Sequence, residues 1–224
     1  MRVHLEDLQS PIFNYLLRTE GLEIEGTLSG LISVQHTLSE PVVFSNFDMV
    51  NLGLNGYKYG HLNFGARYTK DKNIIAQGQI RDKGQSSISF GATVYGVSNE
   101  IDARVSLDDF ALDGFNPLLG GVLDELHGRL QGGLSVYGPI DDWNIGGSAQ
   151  LRNGHFTIPV VGAELATAEP AEIEITNSRI TLDPTNFIVP DDGTRAKAWG
   201  SIRHDKFDDF NFDLRFHTDS MTAV

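Results

Sequence analysis

The side chains best able to do chemistry in this 224-residue sequence are seven histidines and four adjacent acidic pairs; cysteine is absent. The histidines, His4, His36, His61, His127, His155, His204 and His217, show no i,i+4 or His-x-His pairing. A metal site needs ligands at such fixed spacings, so none is expected. The pairs Asp108-Asp109, Asp141-Asp142, Asp191-Asp192 and Asp208-Asp209 could act as general acid and base or as calcium ligands. None has the Asp-x-Asp-x-Asp-Gly spacing, and each falls near a strand end or turn, so they read as solvated turn residues. No Gly-x-Ser-x-Gly elbow or Gly-x4-Gly-Lys-Ser/Thr phosphate loop occurs. Without cysteine there is no thiol catalysis, zinc ribbon or disulfide frame. No catalytic residue, metal or cofactor is therefore expected, and the chain does not read as an enzyme. A net charge of -13 argues against nucleic acid, whose backbone is bound by clustered Lys and Arg.

The elements that carry these residues read as strands. Apolar and polar residues alternate with a period of two over Leu22 to Leu28, Ile74 to Ile80, Ile88 to Val94, Ile101 to Leu107 and Leu130 to Val136. The same holds for Ile173 and Ile175, for Ile180 and Leu182, and for Phe210 to Phe216. One-sided strands of this kind suit an antiparallel sheet. Turn signals stand between them at Leu54-Asn55-Gly56, Asp82-Lys83-Gly84, Asn153-Gly154 and Asp191-Asp192-Gly193. Pro11 to Thr19 and Phe115 to Leu126 read as two short helices. No stretch reaches the ~18 to 20 apolar residues of a membrane-spanning helix. The N-terminus has neither the basic nor the apolar region of a secretory signal, which suggests a cytoplasmic protein or a piece of a longer chain.

The chain also repeats itself. Residues 5 to 34 align without a gap to 107 to 136, with 12 of 30 positions identical at an offset of 102, among them Asn14/Asn116, Gly26/Gly128 and Gly30/Gly132. Ala76-Gln-Gly-Gln-Ile-Arg81 matches Ala198-Trp-Gly-Ser-Ile-Arg203, and Ile101-Asp-Ala-Arg-Val105 matches Phe212-Asp-Leu-Arg-Phe216. The expectation is two tandem units, 1–106 and 107–224, joined in one long curved antiparallel sheet. At the end, Thr218-Asp219-Ser220-Met221 takes the place of Leu107-Asp108-Asp109-Phe110, as though a third unit began there.

Leu126-His-Gly-Arg-Leu-Gln-Gly-Gly-Leu-Ser-Val-Tyr-Gly-Pro139, with Gly147 to Leu151, Phe156-Thr-Ile-Pro159, Thr181-Leu-Asp-Pro184 and Asp192-Gly193 through Gly200 to His204, resembles the C-terminal region of the TamB family. Phe207-Asp208-Asp209-Phe210 resembles its Bacteroidetes branch. These translocation and assembly module proteins belong with the AsmA-like, bridge-type lipid-transfer proteins. The resemblance implies a periplasmic, all-β open trough ("taco"-like), in a parent anchored in the inner membrane. It also implies an outer-membrane barrel of the Omp85 type as partner. The cargo implied is phospholipid acyl chains or nascent outer-membrane protein.

On this reading the apolar groove is lined by Val105, Leu130, Leu134, Val136, Leu151, Phe156, Ile158, Ile173, Ile175, Ile180, Ile202, Phe212, Leu214 and Phe216. Alternation shows which residues share a face, but a closed core would use the same ones. Trp143 and Trp199 suit either a groove rim or core packing. The competing readings are a structural or adhesive β-repeat scaffold with a closed core, and a polysaccharide binder using Tyr57, Tyr59, Tyr68 and Trp143 as platforms.

Overall fold

A computed structural model describes residues 1–9, 23–35, 41–82, 85–119, 123–160, 162–205 and 208–218. It contains fourteen strands: β1 Arg2–Gln9, β2 Ile24–Gln35, β3 Val42–Leu54, β4 Tyr57–Tyr68, β5 Ile74–Asp82, β6 Gln85–Tyr95, β7 Glu100–Ala111, β8 Asp124–Pro139, β9 Asn144–Ile158, β10 Ala163–Thr167, β11 Ala171–Thr176, β12 Arg179–Ile188, β13 Arg195–Asp205 and β14 Asp208–Thr218. They form one antiparallel sheet in chain order, except that β10 and β11 share the slot between β9 and β12. Every alternating run falls in a strand in its described part, except that Glu23 lies just before β2. Among the described residues, no helix is long and apolar enough to cross a membrane.

The expected helix at Phe115 to Leu126 is not formed. Asp113–Phe115 makes a 3-10 turn, Asn116–Leu119 makes a single α-helical turn (α1), and from Asp124 the chain is already strand β8. Two consecutive glycines, Gly120 and Gly121, each disfavour helix by about 1 kcal/mol, so propensity could not carry the helix further. The other expected helix, Pro11 to Thr19, lies outside the described residues. Asn55 (φ 50°) and Gly56 (φ 81°) make the tight β3–β4 turn their types predict. Asn153-Gly154 makes no turn: Asn153 (φ 49°) lies inside β9 as a bulge.

The chain divides into two compact units, Met1–Ser106 with Ser135–Asn144, and Leu107–Leu134 with Ile145–Val224. In unit 1, directly paired residues share a face, and two neighbouring rows cross β2 to β6: Leu28, Met49, Leu62, Ile80, Ile88, and Gly30, Phe47, Phe64, Gly78, Phe90. Phe47 and Phe64 stack with centroids 4.9 Å apart. The reverse face carries Ser29, Asp48, Asn63, Gln79 and Ser89 in register. There Asp48 holds His61 Nε2 at 2.7 Å and accepts a hydrogen bond from Asn63.

In unit 2 the strands carry a seam of irregularities. Four residues, 167–170, face three of β9, 152–154, because the register slips between Ala166/His155 and Ala171/Leu151. Pro170 interrupts the ladder between β10 and β11, since it has no N–H to donate, and Pro184 falls in the register slip of β12 between Leu182 and Thr185. Glu169 patches this level by accepting hydrogen bonds from Asn186 Nδ2 (2.7 Å) and the Asn186 N–H (3.4 Å). Gly128 (φ 144°) packs against the Cα of Gly154 at the same level.

Three irregular positions recur at the sequence offset of 102: Asp7/Asp109, Gly26/Gly128 and Asn51/Asn153 all have positive φ. The match of Ala76–Arg81 to Ala198–Arg203 does not keep strand order. It joins β5, two strands before β7, to β13, one strand before β14. Strand order therefore does not establish two complete copies.

Candidate apolar binding face of unit 2

Rows of paired residues define this face. One runs through Ala149, Ile173, Leu182, Gly200 and Leu214 across β9, β11, β12, β13 and β14; the next runs through Gly147, Ile175, Ile180, Ile202 and Phe212. A Cβ placed on Gly147 would touch Leu134 Cδ2, so Leu134 of β8 extends the second row. With strands ~4.8 Å apart, the six-strand row is roughly 24 Å long. Gly200 lets Leu214 lie close: its φ is 145°, and a Cβ there would collide with the Asp213 carbonyl. The opposite face carries Glu172, Glu174, Arg203, Asp213 and Arg215, all exposed.

Simple alternation does not bring Leu151 and Phe156, five residues apart, onto one face. The bulge at Asn153 inserts the extra residue that does, and the slip at Pro184 does the same for Leu182 and Phe187. Beyond the seam this face closes. Leu126, Phe156, Leu165, Phe187, Ala196 and Ala198 form a buried cluster, with Phe187 only 1% exposed and its ring edge-on to Phe156 at 5.6 Å. Leu112, Leu119 and Leu123, from the segment around α1, pack onto that cluster as its cap. The cap is tied to β8 by the Leu112 N–H donating to the Gly128 carbonyl, by Asp113 against His127, and by Asn116. Asn116 Oδ1 accepts from the Leu126 N–H (2.6 Å), and its Nδ2 donates to the carbonyls of Leu126 (2.9 Å) and Asp113 (3.0 Å).

On the near side of the seam Ile173, Ile180, Ile202 and Leu214 stay half-buried, and in the first row beyond it Phe216, paired with Ala198, is 43% exposed. A cavity of about 160 Å³, lined almost wholly by carbon, joins the two zones. Of the fourteen expected groove residues, Leu151, Phe156, Ile173, Ile180, Ile202, Leu214 and Phe216 line it. Ile158 packs against the buried cluster instead. Ile175 and Phe212 lie one row further along the same face, and Leu130 is half-buried in β8. Val105 and Val136 are half-buried and belong to unit 1. The groove list omitted Leu112, Leu123, Leu126, Leu182, Phe187 and Ala198, which also line the cavity. Phe187 could have been found by continuing the β12 pattern beyond Pro184.

The polar candidates are placed as follows. His127 and His155, remote in sequence, come together with rings stacked at 6.1 Å; Asp113 holds the first at 2.6 Å and Glu164 the second at 2.5 Å. Among the described residues no group of three or more His, Asp or Glu is arranged to hold a metal ion. Asp192 lies in the β12–β13 loop, and its carboxyl is held below the usual carboxylate range by hydrogen bonds from the Thr194 side chain and N–H. Tyr59 is 5% exposed and packs against Tyr57, so it offers no face to a sugar. Trp143 and Trp199 are both half-buried.

Comparison with known proteins finds no matching family model, no matching curated protein and no matching solved structure.

Proposed function

We propose that this chain is a segment of an open β-trough whose apolar floor holds acyl chains, as in the TamB-like, bridge-type lipid-transfer proteins its sequence resembles. In that role it serves phospholipid transport to the outer membrane, or protein assembly there, from the periplasm, with an Omp85-type barrel as partner. The tandem units 1–106 and 107–224 are then successive lengths of one conduit.

The observation that carries the reading is graded burial along one apolar face of unit 2. Phe187 and Ala198 are shut in, whereas Ile173, Ile180, Ile202 and Leu214 are half-open in rows that carry no charge. An acyl chain laid on such a floor gains ~0.8 kcal/mol per buried CH2 and needs no directional partner. The closed cluster around Phe187 is what favours the second reading, a scaffold with a dry core.

Photo-crosslinking amino acids at Ile202 and Leu214, with Arg203 on the exposed face as control, test the proposal in cells. Lipid captured at 202 and 214 but not at 203 supports it, and nascent outer-membrane protein at the same positions selects the assembly role. Capture no greater at 202 and 214 than at 203, with no phospholipid in organic extracts of the purified chain, would leave the dry-core scaffold.

A further inference from the structure

Unit 1 carries a concavity of a different kind, where the end of β6, the start of β7 and the end of β8 meet. The Asn99 N–H donates to the Tyr95 carbonyl and the Ile140 N–H to the Asn99 carbonyl, both at 2.9 Å, which ties the three strand ends together. Beside this knot lies an open groove of about 560 Å³, within the ~300–1,000 Å³ of small-ligand clefts. Its chemistry comes from Tyr95 of β6, Glu100, Asp102 and Arg104 of β7, and Ser135 and Tyr137 of β8. All six belong to unit 1.

Strand period explains the grouping. Positions 100, 102 and 104 are exposed and alternate with half-buried 101, 103 and 105, so the three charged residues stand on one side of β7, their Cα atoms about 6.8 Å apart. Tyr137 is 53% exposed and Tyr95 38%, so each offers ring surface to the groove. Arg104 and Asp102 share a side of the strand, yet among the described residues neither makes an ion pair or a side-chain hydrogen bond. The same holds for the side chains of Glu100, Tyr95 and Tyr137.

This mixture of groups limits the ligand. An acyl chain would strip water from three charges, which costs more than its own burial returns. A polyanion is opposed by Glu100 and Asp102, a polycation by Arg104. A peptide cannot add as a strand, because β7 and β8 are each paired on both sides. A neutral sugar meets every requirement. Its hydroxyls both donate and accept, so they serve carboxylates, which only accept, and a guanidinium, which only donates. Its C–H faces lie flat on tyrosine rings.

We propose that this groove binds a neutral glycan, with Tyr95 and Tyr137 as stacking platforms and Glu100, Asp102 and Arg104 as hydrogen-bonding partners of the ring hydroxyls. Tyr57, Tyr59, Tyr68 and Trp143, the platforms of the polysaccharide reading made from sequence, do not line it. The site is distinct from the acyl floor of unit 2, so either can stand without the other.

Calorimetric titration of the full chain with cellotetraose, maltotetraose and N-acetylated chitotetraose at millimolar concentration tests this, with tetralysine and tetraglutamate as charged controls. At least one sugar should bind saturably and more tightly than either peptide. Tyr137→Ala should weaken that binding about tenfold through loss of one aromatic contact, while Tyr137→Phe, which keeps the ring, should stay within about threefold. Asp102→Asn, a change of charge at constant shape on an exposed position, should also weaken it by about threefold or more. Phe44→Ala removes an exposed ring outside the groove and should leave binding unchanged. No saturable sugar binding by the folded wild-type chain, or binding left intact by both Tyr137→Ala and Asp102→Asn, would overturn the proposal. Tighter binding of tetralysine would overturn it too, and would assign the groove to a basic peptide.

Discussion

Replacing Asn116 by alanine should loosen the cap of unit 2 out of proportion to the size of the change. The side chain makes three hydrogen bonds, two of them to the N–H and carbonyl of Leu126, which is buried. A buried backbone group stripped of its partner costs about 1–3 kcal/mol. Water reaches half-buried Asn116 and recovers part of this, so two such groups amount to about 2–4 kcal/mol. The loss should fall on unit 2, whose only tryptophan is Trp199, while Trp143 belongs to unit 1. In a Trp143→Phe background, urea unfolding followed by tryptophan emission therefore reports unit 2. Hydrogen exchange at the Leu126 amide should lose protection in the same variant. A midpoint equivalent to less than about 0.5 kcal/mol of destabilisation, with Leu126 still protected, would refute the clamp, since ordinary surface changes lie within that range.

Two further changes probe other levels of the structure. Phe187→Ala should destabilise unit 2 by about 3–5 kcal/mol in the same assay, the usual cost of emptying a closed aromatic site; a loss under 1 kcal/mol would mean that the cluster is not a packed core. Asp192 has its pKa lowered by folding, so its stabilising contribution is present above the ordinary value of 3.8 and fades as pH falls through the lower folded value. The Tm difference between wild type and Asp192→Asn should therefore hold steady from pH 7 to 5 and shrink below about 4; a difference that grows with acid would contradict the Thr194 hydrogen bonds as its cause.

How much was legible in the sequence depends on the range of the interaction responsible. Strand identity and the polar or apolar face of each short run follow from side-chain period, a local property, and so Ile173 with Ile175, Ile180 with Leu182, and Phe212 with Leu214 could each be placed on one side of their own strand. The Asn55-Gly56 turn was legible for the same reason, because positive φ is a property of the residues themselves. Asn153-Gly154 has the same chemistry but became a bulge, since its flanking segments pair with β8 and β10 rather than with each other. The helix expected at Phe115 to Leu126 failed because Leu126 was claimed by β8 and by the Asn116 side chain, and neither partner shows in a local pattern.

The sequence by itself determined an acidic, cysteine-free, all-β chain whose strands each carry an apolar and a polar side, because composition and a two-residue period depend on nothing distant. Only the tertiary structure decided which sides add up. Single-residue slips at Asn153 and Pro184 turn Leu151 with Phe156, and Leu182 with Phe187, onto one surface, and α1 covers one end of it while the other stays half-open. The same long-range pairing stacked His127 on His155. The physical reason is that a strand shows its alternation locally, whereas its register, and so the fate of its apolar face, is set by neighbours remote in sequence.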